Sequence, residues 1–291
     1  MYVDKIKPQC ISCLIEKHLN SAPLHFSENE KAKYMQGILK ILSEADTSMS
    51  APLIVEQINK FKESLGIVSD YSGAKSRFNA YMLSHEAEIE GKIKASRDPL
   101  KTATMYAIAG NYIDFGALSK VEPQKLDDIL GNAEKISLNS SEFEDFRNEI
   151  MSAQRIVYLT DNCGEIVLDK LLIKQILESN PNTALNVIVR GKDILNDCTE
   201  NDAEQTGLCA LVPVVGNGTA IAGTCLERIS DEAKRLIDSA DIIISKGQGN
   251  FETLYCCGKN IYYLFLCKCK MFAERFNVKP FTAMFLKEKD L

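Results

Sequence analysis

The sequence predicts an α/β protein in which a helical N-terminal domain packs on a Rossmann-like, mainly parallel sheet with helices on both faces. Three observations predict it. From Gln9 to about Ile150 the apolar residues recur at three- and four-residue spacing, with no strong strand signal. After Met151 short β-branched runs alternate with helical stretches. Those runs are almost continuously apolar, as expected of parallel strands buried on both faces. The 291 residues suffice for two units, a helical domain over 1–150 and an α/β domain over 151–291.

In the first half, Cys10 to Leu19 is a short helix ended by Asn20-Ser21-Ala22-Pro23. Ser27 with Glu30 forms a capping-box pattern, and Tyr34, Ile38, Ile41 and Leu42 continue it as an amphipathic helix. Ala51 to Leu65 and Gly73 to Ser96 are two further helices, the second carrying a charged, solvated face of Glu86, Glu88, Glu90, Lys92 and Lys94. Asp98-Pro99 restarts the chain into the apolar stretch Leu100 to Ala109. Pro123 to Leu130 and Ser141 to Met151 complete this half. In the second half the expected strands are Arg155–Thr160, Leu185–Arg190, Leu211–Val215, Asp241–Ser245 and Asn260–Leu266. The helices between them lie near Gly164–Ser179, Thr199–Gly207, Ser230–Ala240 and Asn250–Cys256.

A formal net charge of -6 argues against nucleic acid as a partner, because non-specific binding to it rests on basic surface. The N-terminus lacks the apolar core of a signal peptide, and no run approaches the ~18 apolar residues of a membrane span. These features set the expectation of a cytoplasmic protein with no membrane partner; they fix no oligomeric state.

Right-handed crossovers place the C-terminal ends of all parallel strands on one edge of the sheet, where ligands bind in such folds. Four consecutive exits on that edge carry polar residues. The first is Asp161-Asn162, the second leads to Asn196-Asp197, the third is Gly216-Asn217-Gly218-Thr219, and the fourth is Lys246-Gly247-Gln248-Gly249-Asn250. Taken singly, Asp161 reads as a helix cap, Asp197 as the residue before one, and Lys246-Gly247 as a plain βα loop. Taken together, Asp161, Asn162 and Asp197 make a hard, incomplete oxygen ligand set suited to one divalent ion, Mg²⁺ or Mn²⁺, with Co²⁺ or Ni²⁺ also admitted. Lys246 followed by glycines is placed to hold an anion. Metal, lysine and exposed amides are what phosphoryl chemistry requires, so Asp161 and Lys246 are the catalytic candidates. No Walker loop or dinucleotide fingerprint is present.

Asn111 and Asp114, in the Gly110–Gly116 stretch, read either as helix-end residues or as side chains facing a crevice between the two halves. Among ten cysteines, Cys10 and Cys13 form a C-x-x-C, and Cys267 and Cys269 a C-x-C. Cys10, Cys13 and Cys269 are candidates for a second, structural zinc or redox site, with free thiols or a disulfide as the alternatives. The histidines, His18, His25 and His85, all lie far from the strand exits, which disfavours a His-assisted nucleophile.

Several of these stretches in order resemble one family. Cys10-Ile11-Ser12-Cys13, Gly110-Asn111-Tyr112-Ile113-Asp114, Asp161-Asn162-Cys163-Gly164-Glu165, Asn196-Asp197-Cys198-Thr199 with Asp202-Ala203, and Lys246-Gly247-Gln248-Gly249-Asn250 are similar to the motifs of the metal-dependent damage-control phosphatases, long catalogued as domain-of-unknown-function family 89. The resemblance runs from Cys10 to about Cys269 and places the chain with the cysteine-bearing microbial branch. It implies hydrolysis of small phosphorylated metabolites, sugar phosphates or damaged phosphometabolites, with a divalent metal on Asp161, Asn162 and Asp197. It further implies that Lys246 holds phosphate and that Asn111 and Asp114 face the substrate. Cys163 and Cys198 stand where the family pattern leads one to expect small residues, and Cys267 is additional to the family cysteine matched by Cys269. Two rival readings are a nucleotide- or cofactor-binding or transferase module on the same sheet, and a redox or metal-carrier protein built on its cysteines.

Overall fold

The computed structural model describes residues 5–113 and 123–288. Its centre is a six-stranded sheet in the order β3-β2-β1-β4-β5-β6. The strands are β1 (Arg155–Leu159), β2 (Ala184–Val189), β3 (Val214–Gly216), β4 (Ile242–Lys246), β5 (Ile261–Leu266) and β6 (Ala283–Lys287). The first five pair in parallel and β6 pairs antiparallel with β5. Chain order reverses between β1 and β4, so the crevice outside their C-terminal ends is the topological switch point, where open α/β sheets take their ligands.

The helices are α1 (Pro8–Asn20), α2 (Glu28–Glu44), α3 (Ala51–Ser64), α4 (Ser72–Ala95), α5 (Pro99–Gly110), α6 (Pro123–Gly131) and α7 (Ser140–Ser152), followed by α8 (Glu165–Ser179), α9 (Glu200–Gln205), α10 (Asp231–Ser239), α11 (Gln248–Leu254) and α12 (Lys270–Phe276). The Ser27–Glu30 capping box forms as expected and starts α2. Asp98 caps α5 through the Lys101 amide, with Pro99 at a first-turn position where a missing N–H costs nothing.

Strand periodicity sorts the core into two layers. Ile156, Tyr158, Ile242, Ile244, Tyr262 and Leu264 point to one face and pack with residues of α4, α5, α7 and α8. Val157, Leu159, Ile243, Ile261, Tyr263 and Phe265 point to the other and pack with α10, α11 and α12. The first layer therefore draws on residues from both sides of position 150. Helix α8 is buried along much of its length, because α4, α5 and α7 cover the side that the sheet does not. Helices α1, α2 and α3 enclose a smaller cluster around Leu14, Tyr34, Ile38, Ile54 and Ile58.

Three local outcomes differ from the sequence expectation. β3 begins at Val214 rather than Leu211, because Pro213 cannot donate to the ladder and residues 208–210 form a 3₁₀ turn instead. α12 and β6 were not expected. The apolar run Ala283-Met284-Phe285-Leu286 carries the signal for β6, and Asn277 in the left-handed conformation ends the helix before it. No described helix is long and apolar enough to cross a membrane.

Candidate active site at the sheet switch point

The loops leaving β1 and β2 are fastened to each other by backbone. Cys163 N donates to Asn196 O at 2.8 Å and Cys198 N to Asp161 O at 2.7 Å, around an isolated antiparallel bridge between Asn162 and Asp197. Arg190 N donates to Cys198 O at 2.8 Å and closes the second loop. This pairing brings Asp161, Asn162 and Asp197 together although 36 residues of sequence separate the first from the last.

A buried arginine joins the two carboxylates. Arg190, 2% exposed, directs Nε to Asp197 Oδ2 at 2.7 Å and a terminal nitrogen to Asp161 Oδ1 at 3.5 Å. Its other terminal nitrogen reaches Asn250 Oδ1 at 3.0 Å. Asn250 in turn donates to Thr160 O at 3.0 Å and Lys246 O at 2.7 Å, so the fourth strand exit fixes the guanidinium. The planar guanidinium, with five donors in a fixed fork, suits this set of acceptors. Arg190 stands in the second strand exit and was missed as a site residue. A cation at the end of an apolar strand is the signal that marks it.

The far oxygen of Asp161 is held by two amides. Asn162 Nδ2 donates to Asp161 Oδ2 at 2.7 Å and Asn111 Nδ2 at 3.0 Å. Asn111 lies at the C-terminal end of α5, fully buried, and its Oδ1 accepts from Leu266 N at 3.0 Å. Its amide thus faces Asp161 and β5 rather than an open crevice. Asp114 lies outside the described residues. Gly247 has φ +80° and ψ 156°, a glycine-only conformation, and a Cβ there would overlap the Asp161 carboxylate.

Lys246 is fully buried, and its ammonium bonds to Glu165, to Asp169 Oδ1 at 2.8 Å and to Ala107 O at 2.8 Å. An ammonium has three donors, and all are taken by protein acceptors. The lysine expected at the phosphate thus bonds to protein acceptors here, and Glu165 links it to the amides that hold Asp161. Glu165 accepts from Asn111 at 3.0 Å and Asn162 at 3.1 Å, the two amides that hold Asp161. Tyr158 donates to Asp169 Oδ1 at 2.7 Å, while Asp169 Oδ2 is buried without a hydrogen-bond partner. Burial pushes Asp169 up to about 6; the Lys246 charge opposes that shift and Glu165 adds to it. Burial alone would pull Lys246 down, but the Asp169 and Glu165 carboxylates outweigh it and leave the ammonium above its ordinary value. Glu165 and Asp169 lie one turn apart on the site-facing side of α8, a spacing that sequence alone gives no reason to connect to Lys246.

The residue types are those that suit a hard divalent cation: the Asn162–Asp197 bridge sets two carboxylates and an amide beside one another, and Arg190 contacts both carboxylates. Asn162 would supply the third protein ligand, since the described residues contain no group of three or more His, Cys, Asp or Glu placed to hold a metal. The same finding bears on Cys10, Cys13 and Cys269. Among the described residues no disulfide joins any of the ten cysteines. Cys10 and Cys269 flank the apolar cluster that contains Cys267, and the Cys269 thiol is raised by burial first, with Glu252 and lastly Cys13 adding to it. Cys163 and Cys198 are fully buried, and burial drives both thiols up, as expected of apolar fillers.

Comparison with known proteins agrees with this fold. The model of the damage-control phosphatase ARMT1-like domain matches residues 6–284. The chain is 31% identical to the Archaeoglobus fulgidus protein named damage-control phosphatase, over 94% of this chain and 96% of that one. It is 29% identical to the uncharacterized protein MJ0202 of Methanocaldococcus jannaschii, over 94% and 92% of the two chains. The crystal structure of a DUF89 family protein, PH1575 from Pyrococcus horikoshii, superposes with a TM-score of 0.77 at 26% identity, over 98% of this chain and 99% of that one. The chain belongs to the damage-control phosphatase ARMT1-like family, domain-of-unknown-function family 89.

Proposed function

We propose that this protein is a metal-dependent phosphatase of small phosphomonoesters, sugar phosphates or damaged phosphometabolites. The observation that carries the reading is the convergence of Asp161, Asn162 and Asp197 at the switch point, in a chain of this family. A bound divalent cation would supply charge neutralisation and orientation for the phosphate.

The chain's own residues prepare that chemistry. Asp161, Asn162 and Asp197 would hold the cation. Arg190 pins the Asp197 carboxylate and places a permanent positive charge beside developing phosphate charge. Asn111 and Asn162 fix one Asp161 oxygen, leaving little rotational freedom to the carboxylate. Lys246 acts as a positioning residue through Glu165.

Chelation followed by add-back of Mg²⁺, Mn²⁺, Co²⁺ or Ni²⁺, assayed on a panel of phosphate esters, tests the reading. Activity should return with at least one cation and be lost in Asp161→Asn and Asp197→Asn. Arg190→Lys should weaken cation affinity by roughly 10–100-fold, as expected when a partner that orients a ligand is lost. Absence of hydrolysis with all four cations would sink the proposal.

A further inference from the structure

A cleft of about 760 Å³ opens at the β2 and β3 exits, on the β2 side of the switch point, between the end of α3 with the α3–α4 connection and the loops leaving β2 and β3. That is the size of a small-molecule site. Its wall includes Lys62, Tyr71, Lys75, Lys192, Leu195 and Thr219. Leu195 stands two residues before Asp197, which puts their Cα atoms within roughly 7 Å of each other. Leu195 has φ 49°, an unfavourable left-handed conformation for a branched side chain, at the junction between cleft and ligand set. A molecule whose phosphate sits against Asp161 and Asp197 therefore has this cleft for the rest of its body.

The cations along the cleft fall into two groups. Lys60 and Arg228 bond to Glu56, while Lys75 bonds to Asp202 at 2.7 Å and Asp193 at 3.0 Å. Lys62 and Lys192 have no acceptor for their ammonium groups among the described residues. Lys192 is exposed, but Lys62 is half-buried and lies in the field of Lys17. Burial, then Lys17, pulls the Lys62 ammonium below its ordinary value. A partly desolvated cation beside a second cation is held at a cost that an incoming anion would relieve. The other carboxylates on the wall do not relieve it: Glu63 and Asp70 are exposed, and Asp70 accepts from Ser72 N at 2.8 Å.

We propose that this cleft receives the non-reacting part of the substrate, and that Lys62 and Lys192 select there for a second anionic group, a carboxylate or a second phosphate. The inference rests on the phosphatase reading for its first clause. It defines the preferred substrates as phosphate esters with an acidic far end rather than neutral sugar or polyol monophosphates.

The test compares matched pairs on the full chain: glycerol monophosphate against phosphoglycerate, and ribose monophosphate against ribose bisphosphate. Wild type should favour the acidic member by roughly tenfold in kcat/KM, the worth of one charge-assisted hydrogen bond. Lys62→Gln and Lys192→Gln should erase most of that preference through KM, leaving kcat and the neutral esters within about twofold. The exposed control Lys40→Gln should change nothing. Preference for the bisphosphate alone identifies a phosphate-selective pocket, and preference for both acids a general anion pocket; either upholds the proposal. Equal use of acidic and neutral esters, or equal losses on both in Lys62→Gln, overturns it. If wild type hydrolyses no ester with any cation, the phosphatase reading falls separately. Calorimetric titration with ribose bisphosphate then decides the cleft: binding weakened in Lys62→Gln supports it, and no binding or unchanged binding refutes it.

Discussion

Replacing Lys246 by methionine is the sharpest perturbation of this architecture, because the side chain fits while the charge is lost. Lys246, Glu165 and Asp169 are all fully buried. Removing the ammonium strands two carboxylates without water, and it also takes a donor from Ala107 O. Breaking one buried ion pair by removing a partner costs about 3–5 kcal/mol, so Lys246→Met should lose at least that much at pH 8. The sign of the pH dependence follows from Asp169. Its carboxyl sits at about 6 in the fold against an ordinary 3.8, so between those values the folded state holds more protons than the unfolded. That contribution to stability is present below the window and lost as pH rises through it. Without Lys246, whose charge opposes the shift, the Asp169 carboxyl rises further and goes neutral more readily, which relieves its burial penalty at low pH. Each carboxyl that takes up a proton only in the folded state adds about 1.4 kcal/mol per pH unit to the slope. Urea denaturation of wild type and variant at pH 8 and pH 5 measures this, and the deficit should be clearly smaller at pH 5. Adding Glu165→Gln and Asp169→Asn should restore much of the stability but not the activity, because no charge then fixes the Asn111 and Asn162 amides. A loss below about 1 kcal/mol, equal at both pH values, would refute the reasoning.

Gly247→Ala should cost about 1–3 kcal/mol and abolish most activity, since φ +80° disfavours any side chain and the new Cβ displaces the Asp161 carboxylate. Thermal unfolding with parallel ester hydrolysis measures both effects, and a fully active alanine variant would contradict the geometry. His18 is pulled down to about 4 by burial first, then by Lys62 and Lys17, from an ordinary 6.5. The folded state therefore binds fewer protons than the unfolded between those values, and stability falls as pH drops from about 6.5 to about 4. Imidazole NMR titration should place the His18 midpoint well below that of a solvent-exposed histidine.

Much of the architecture is written in local patterns. Apolar periodicity located all the expected helices that fall on described residues, and five of the six strands, because burial against a sheet or a bundle imposes a period on nearby residues. The strand-end positions of Asp161, Asn162 and Asp197 follow from the same patterns together with the handedness of crossovers. β6 escaped because a short apolar run near a chain end has no alternation partner to mark it.

What each polar side chain meets was decided only by the tertiary structure. Lys246 lies in a glycine-rich strand exit that by itself suggests an anion, yet its partners are 77, 81 and 139 residues away in sequence. Asn111 reads as a residue facing substrate, but its amide lies between Asp161 and Glu165, 50 and 54 residues along the chain. Arg190 gave no sequence cue stronger than its place at a strand end, and it joins the two carboxylates. The reason is physical. Periodicity records whether a position is buried. The identity of a buried group's hydrogen-bond partner depends on which segments the sheet order brings together, and no local pattern contains that.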